Sequence, residues 1–396
     1  GNYEPREGSA GEWAWLVDSI EMVRMKATLA SFPVDDALHP TALVEDAFKQ
    51  QAEERQQDDK RYSPAFLLPM ILAALDEADT VKDGTGLAVC HRLFEKGALA
   101  LALVSLSSQC LSIRKLSVGI LGVFSEIVES EAAVNMSSWR DRPQIAMLLG
   151  AVRRSLVIRF VEDAKEDSLS QTHIPRLPGF SALYLARASS TLAHPGDPLF
   201  VSMNRHFLQS EADGGAFQDL TRLPAFMALF CSASDDKEQL LHERTFALHL
   251  VKDGFTDEDC YKHLMACHCT EMLLTSVEMS SLQSTQSDEE ASLLLTTLRH
   301  IVSSCGERSL SHLFDRLGLL SWLRSIFVRC SSKGLLQSDA TRNDLLKLAT
   351  AVVGQAGKTL TADEFLVATT GIASCALSMI LEVTASVSVR ASSLSY

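Results

Sequence analysis

The sequence predicts an all-α protein built as a stack of helical hairpins, an α-solenoid. Three observations predict it. Apolar residues recur at three- and four-residue steps, the period of a helix with one buried face. The 396 residues include only 11 prolines and 20 glycines, too few for the turns a β architecture needs. One nine-residue segment occurs twice, and its spacing is that of a HEAT- or armadillo-like unit.

The elements follow in chain order. Ser63-Pro64 pairs an N-cap oxygen with a proline at the first helical position, where the missing N–H costs nothing. Gly97 follows a helical run and suits a left-handed C-cap, as does Gly254. Ile113, Leu116, Ile120, Val123, Phe124 and Ile127 form one apolar stripe, with Arg114, Lys115, Glu126 and Glu129 expected on the other side. Ile145, Leu148, Leu149, Val152 and Leu156 repeat the pattern. Asp197-Pro198 opens a further helix, Thr256 with Asp259 reads as a capping pair, and Thr361 with Glu364 fits a capping box. Gln50–Arg61, Glu162–His173 and Ser280–Glu290 read as polar loops or linkers. About fifteen helices joined mostly by short turns result.

The repeated segment is Arg176-Leu177-Pro178-Gly179-Phe180-Ser181-Ala182-Leu183-Tyr184 against Arg222-Leu223-Pro224-Ala225-Phe226-Met227-Ala228-Leu229-Phe230. Six of the nine positions are identical, 46 residues apart. The spacing predicts Pro178 and Pro224 at equivalent first-turn positions of successive units. Trp322, after Gly318-Leu319-Leu320 in an apolar helix, is expected in the core.

Charge and cysteine use narrow the function classes. The net charge of −14 opposes bulk attraction to nucleic acid or membrane and leaves room only for a local basic patch. No apolar run reaches membrane-spanning length. The nine cysteines are odd in number and scattered through helical pattern. Cys90, Cys110, Cys231, Cys305, Cys330 and Cys375 are expected as small buried hydrophobes in a reducing, intracellular setting. The chain opens on Gly1, which suggests a piece of something longer.

Enzyme chemistry finds little footing. Gly354-Gln355-Ala356-Gly357-Lys358-Thr359 suggests a phosphate loop, but the motif's leading glycine would fall at Val352 and no strand precedes it. Cys260, His263, Cys267, His268 and Cys269 are the densest set of metal-capable side chains, yet zinc draws paired ligands from separate elements and no second pair follows. No catalytic, cofactor or metal site is therefore expected. Arg140, Arg142, Arg153, Arg154 and Arg159 are the conspicuous cluster. Guanidinium forks suit phosphate oxygens, so these are the candidate RNA or partner contacts. The competing reading pairs them with Asp141, Glu162 and Asp163 as packing between helices.

Several segments, taken in order, resemble the C-terminal domain of the nucleolar pre-ribosomal-associated protein 1 family. They are Tyr62-Ser63-Pro64-Ala65-Phe66-Leu67-Leu68-Pro69, Phe94-Glu95-Lys96-Gly97-Ala98-Leu99, Val104-Ser105-Leu106-Ser107-Ser108, Arg140-Asp141-Arg142-Pro143-Gln144, Asn204-Arg205-His206-Phe207-Leu208-Gln209, Asp259-Cys260-Tyr261 and Gly318-Leu319-Leu320-Ser321-Trp322-Leu323. The resemblance implies three regions: 1–60, N-terminal helices of no assigned family; 61–330, an α-solenoid like the family's C-terminal domain; and 331–396, terminal helices and a tail. It also implies a non-catalytic nucleolar scaffold in early large-ribosomal-subunit assembly. Such a scaffold binds precursor ribosomal RNA and assembly factors, including a DEAD-box helicase, within a large ribonucleoprotein particle. The alternative is a helical-repeat adaptor that binds only proteins.

Overall fold

A computed structural model describes residues 14–35, 61–80, 85–130, 139, 141–166, 174–205, 226, 229–231, 236–280, 288–333 and 338–361, and helical positions between 365 and 380. Every regular element among them is helical. The chain divides into two compact units, residues 1–225 and 226–396.

The first unit comprises α1 (Ala14–Ser19), α2 (Met22–Ala30), α3 (Pro64–Thr80), α4 (Thr85–Glu95), α5 (Ala98–Ser105), α6 (Leu111–Glu129), α7 (Arg142–Glu166) and α8 (Gly179–Leu192). Its centre is α5. The sequence Ala-Leu-Ala-Leu-Ala-Leu-Val-Ser has no polar side until its last residue, and a helix apolar all round must be enclosed. All eight residues are buried, and α2, α3, α4, α6 and α8 all pack on it. Small and large residues alternate, so neighbours approach over the alanines while the leucines fill the gaps. Gly97, with φ +83°, turns α4 into α5. A Cβ there would stand 3.0 Å from Met25 Cγ, so both the dihedral and the space favour glycine.

The second unit comprises α9 (Lys237–Gly254), α10 (Glu258–Ala266), α11 (Cys269–Ser280), α12 (Asp288–Ser304), α13 (Glu307–Ser311) with a π turn (His312–Arg316), α14 (Leu319–Lys333) and α15 (Asp339–Thr359). Helices α9, α12 and α15 begin at residues 237, 288 and 339, equal steps of 51. Helix α12 packs against both of the others. Side-chain bonds recur at nearly the same step: Glu258 with Ser309, Tyr261 with His312, Ser292 with Asp344, and Gln355 with the carbonyl of Ser303.

Several sequence expectations change at the level of single residues. Gly254 is the last residue of α9 and is not left-handed; the second left-handed glycine is Gly318, at φ +60°. The helix needs no such cap because Phe255 leaves in an extended conformation and buries its ring. The cap of α10 is Asp257 rather than Thr256: its carboxylate accepts from Cys260 N at 3.1 Å, and an ionised acceptor suits the positive helix end better than a hydroxyl. Glu162–Glu166 continue α7 instead of forming a loop. Asp288, Glu289 and Glu290, read as linker, fill the first turn of α12, where the helix dipole favours acids. Gly354 and Gly357, in the segment that suggests a phosphate loop, lie within α15.

Pro178 stands one place before the expected position. It is the N-cap of α8, with φ −57° and ψ 141°, and Gly179 opens the helix. The extended segment leading into it is already tied down, since Leu177 N donates to Leu106 O at 3.1 Å. Pro224 lies outside the described residues, so the two prolines are not compared.

Candidate nucleic-acid and partner interface

Helix α7 carries four of the five predicted arginines. Arg142, its first residue, donates from Nη1 to Val128 O at 2.9 Å. That carbonyl belongs to the last turn of α6 and has no partner further along its own helix, so the guanidinium acts as a C-terminal cap. Arg153 is exposed, beside the buried Val152 and Leu149 of the same helix. Arg154 and Arg159 lie in α7, but their side chains are outside the described residues, as is Arg140 altogether. Among the described residues, the structure therefore splits the cluster: Arg142 joins two helices and Arg153 faces outward.

A second pair of arginines escaped the sequence reading. Arg114 was expected on the polar side of α6, yet it is only 6% exposed. It donates from Nε to Ile174 O at 3.1 Å and from Nη1 to Ser108 O at 2.7 Å and Gln109 O at 2.9 Å. Arg176 donates from Nε to Ser107 O at 2.7 Å. Ser108 Oγ and Gln109 N also bond Val34 O. The turn after α5 is thus held from residues 34, 114, 176 and 177, and Ile174 O fixes Arg114. Burial, and then the neighbouring Arg176 charge, push the Arg114 guanidinium below its ordinary value. Charge-assisted bonds to carbonyls offset that cost. Arg114, Ser117 and Leu121 form a second buried row on α6. The uncharged Ser117 and Leu121, three and seven places on, were the available signal.

In the second unit a groove of about 540 Å³ is lined by Glu258, Tyr261, Lys262, Arg308 and His312 among others. Tyr261 and His312 are hydrogen-bonded at 2.9 Å, Oη to Nδ1. Burial first, then Cys305 and Glu271, hold the Tyr261 hydroxyl well above the ordinary tyrosine range. Glu258 Oε1 accepts from Ser309 Oγ, and its carboxylate occupies the space a Cβ on Gly306 would fill. These contacts fasten α10 to α13.

The thiols and Trp322 are equally plain. Cys260 and Cys269 are buried, while the His268 side chain is 79% exposed and turned to Glu271. No metal-capable group of three or more gathers among the described residues. Burial pushes Cys305 up to about 12 and Cys330 up to about 11. Trp322 is 8% exposed and donates from Nε1 to Leu274 O at 3.3 Å, joining α14 to α11. No helix among the described residues is long and apolar enough to cross a membrane.

Fold and site together define a protein, helical in every described element, whose Arg114, Arg142 and Arg176 donate to backbone carbonyls and whose long helix α7 presents an arginine outward. The chain belongs to the nucleolar pre-ribosomal-associated protein 1 family, whose profile matches residues 99–322, more than half of its length. The matched span runs from Leu99 in α5 to Trp322 in α14. No curated protein and no solved structure matches the chain. Membership implies a nucleolar, pre-ribosome-associated role.

Proposed function

We propose that this chain is a non-catalytic α-solenoid scaffold of early large-subunit assembly in the nucleolus. It contacts precursor ribosomal RNA and assembly factors, a DEAD-box helicase among them, inside a ribonucleoprotein particle. The family match carries the reading. The equal 51-residue steps of α9, α12 and α15 support a helical-repeat architecture. Arg153, exposed on α7, is the described residue best placed for phosphate. Arg140, Arg154 and Arg159 belong to the same proposed surface, and Arg142 supports it by fixing the start of α7. Such contacts position RNA without reading its sequence. At a net charge of −14, they act locally and beside neighbouring proteins.

A protein-only adaptor is the second reading, favoured by the use of Arg142 as a helix cap. A double Arg153→Ala, Arg154→Ala variant separates the two. On the scaffold reading RNA crosslinks fall and the melting curve stays put. The log–log salt dependence of duplex binding then shrinks by about one per lost phosphate contact. Intact crosslinks with a lowered melting temperature assign the arginines to packing and withdraw the RNA contact.

A further inference from the structure

Most polar groups around the groove between α10 and α13 are committed to one another. Tyr261 meets His312, and Glu258 accepts from Ser309. Asp259 accepts from Lys262 Nζ at 2.7 Å. Arg308 is not committed. It is exposed at the groove wall and has no hydrogen bond or ion pair among the described residues. The Asp259 carboxylate raises Lys262, and the Arg308 charge acts the other way. The two cations, one from α10 and one from α13, therefore sense each other.

The groove has room for a ligand. Its volume of about 540 Å³ falls within the roughly 300–1,000 Å³ of binding pockets. Met265 lines it and is 38% exposed. A flexible thioether adapts to whatever apolar group it meets. The π turn begins at His312, on the α13 side, and such turns recur at functional sites. An unpaired guanidinium and an exposed methionine in one groove suit a peptide that carries a carboxylate beside an apolar side chain.

The remaining charges argue against a nucleic acid here. Glu258, Asp259 and Glu307 also line the groove. A phosphodiester strand, charged at every residue, would run against three carboxylates for one unpaired cation. A peptide is charged only where its sequence places a charge. One carboxylate then meets Arg308 while the backbone on either side stays neutral.

We propose that this groove is the docking site for an acidic peptide segment of a partner protein. One Asp or Glu carboxylate sits in the Arg308 fork, and an adjacent Leu, Met or Phe rests on Met265. This contact does not depend on whether the α7 arginines touch RNA.

The test selects a displayed random peptide library on the full chain, with the full-chain Arg308→Glu variant as counter-selection. The expected winners carry Asp or Glu beside Leu, Met or Phe. By fluorescence anisotropy, Arg308→Ala weakens a synthetic winner about thirtyfold, the size of a lost charged hydrogen bond. It leaves the melting temperature of the chain unchanged. Met265→Ala weakens the winner less, and added salt weakens it throughout. Replacing the winner's acid by lysine abolishes binding to the parent and restores it to Arg308→Glu, an exchange that a purely structural arginine would not support. Winners that fail to distinguish the parent from Arg308→Glu overturn the proposal, as does a selection with no winner. So do winners without an acid, or no recovery in the charge exchange. A labelled oligouridine that binds the parent and not Arg308→Glu would overturn it too, making the groove an RNA contact.

Discussion

The first unit encloses a helix, whereas the second lines helices up. In the first, α5 is buried on every side by five neighbours drawn from residues 22 to 192. In the second, α12 packs on α9, α11 and α15. Bonds within that unit repeat near 51 residues. An enclosed helix makes stability collective, because every neighbour must be present before its apolar surface is covered. A series makes stability local, because each helix answers mainly to the one before and the one after.

Substitutions can break or sharpen this contrast. The largest effect is expected for Arg114→Ala, which strands the carbonyls of Ser108, Gln109 and Ile174. It should cost about 4 kcal/mol, and hydrogen exchange should rise through all of α2 to α8. A rise confined to residues 106–114 would refute the collective reading. Trp322→Ala should cost about 3 kcal/mol, with exchange rising in α11 and α14 while α9 keeps its protection. Loss of protection across the whole second unit would make it collective too.

Legibility in the sequence followed the same divide. Helical period and enclosure could be read wherever a stripe or an all-apolar run was present, as in α5 and α6. Ser63-Pro64 marked the start of α3, which begins at Pro64. The role of Arg114 was hidden because its partners are backbone carbonyls up to 60 residues away, and carbonyls leave no signature in side-chain pattern. The 51-residue step was equally hidden, since it is carried by helix starts and dissimilar contacts rather than by recurring residues. Of the arginine cluster, sequence density identified Arg153 on a surface, but it could not reveal that Arg142 is taken up by Val128 O.

Two smaller effects complete the series. Asp257→Ala removes the cap of α10 and should lower stability by about 1 kcal/mol, with exchange rising only at that helix start. Asp344→Asn tests the α12–α15 contact. Burial raises the Asp344 carboxyl, but bonds from Ser292 and Lys347 outweigh it and leave the group below its ordinary value. A depressed carboxylate stabilises the folded state above its unfolded value and loses that stabilisation as pH falls through the folded one. The variant should therefore be weaker at neutral pH by no more than about 0.5 kcal/mol. The gap to the parent should close below the ordinary value of 3.8. A gap that persists in acid would assign the effect to something other than ionisation.

The clasp around the turn after α5 has a consequence for synthesis. Ser107 and Leu106 wait for Arg176 and Leu177, which leave the ribosome some seventy residues later. At ordinary elongation rates the interval is on the order of 10 s. Throughout it the most apolar helix of the first unit has been made, but α8, which packs on it, has not. The nascent chain must be shielded during that window, and a pause placed before residue 174 would lengthen the exposure where it is most hazardous.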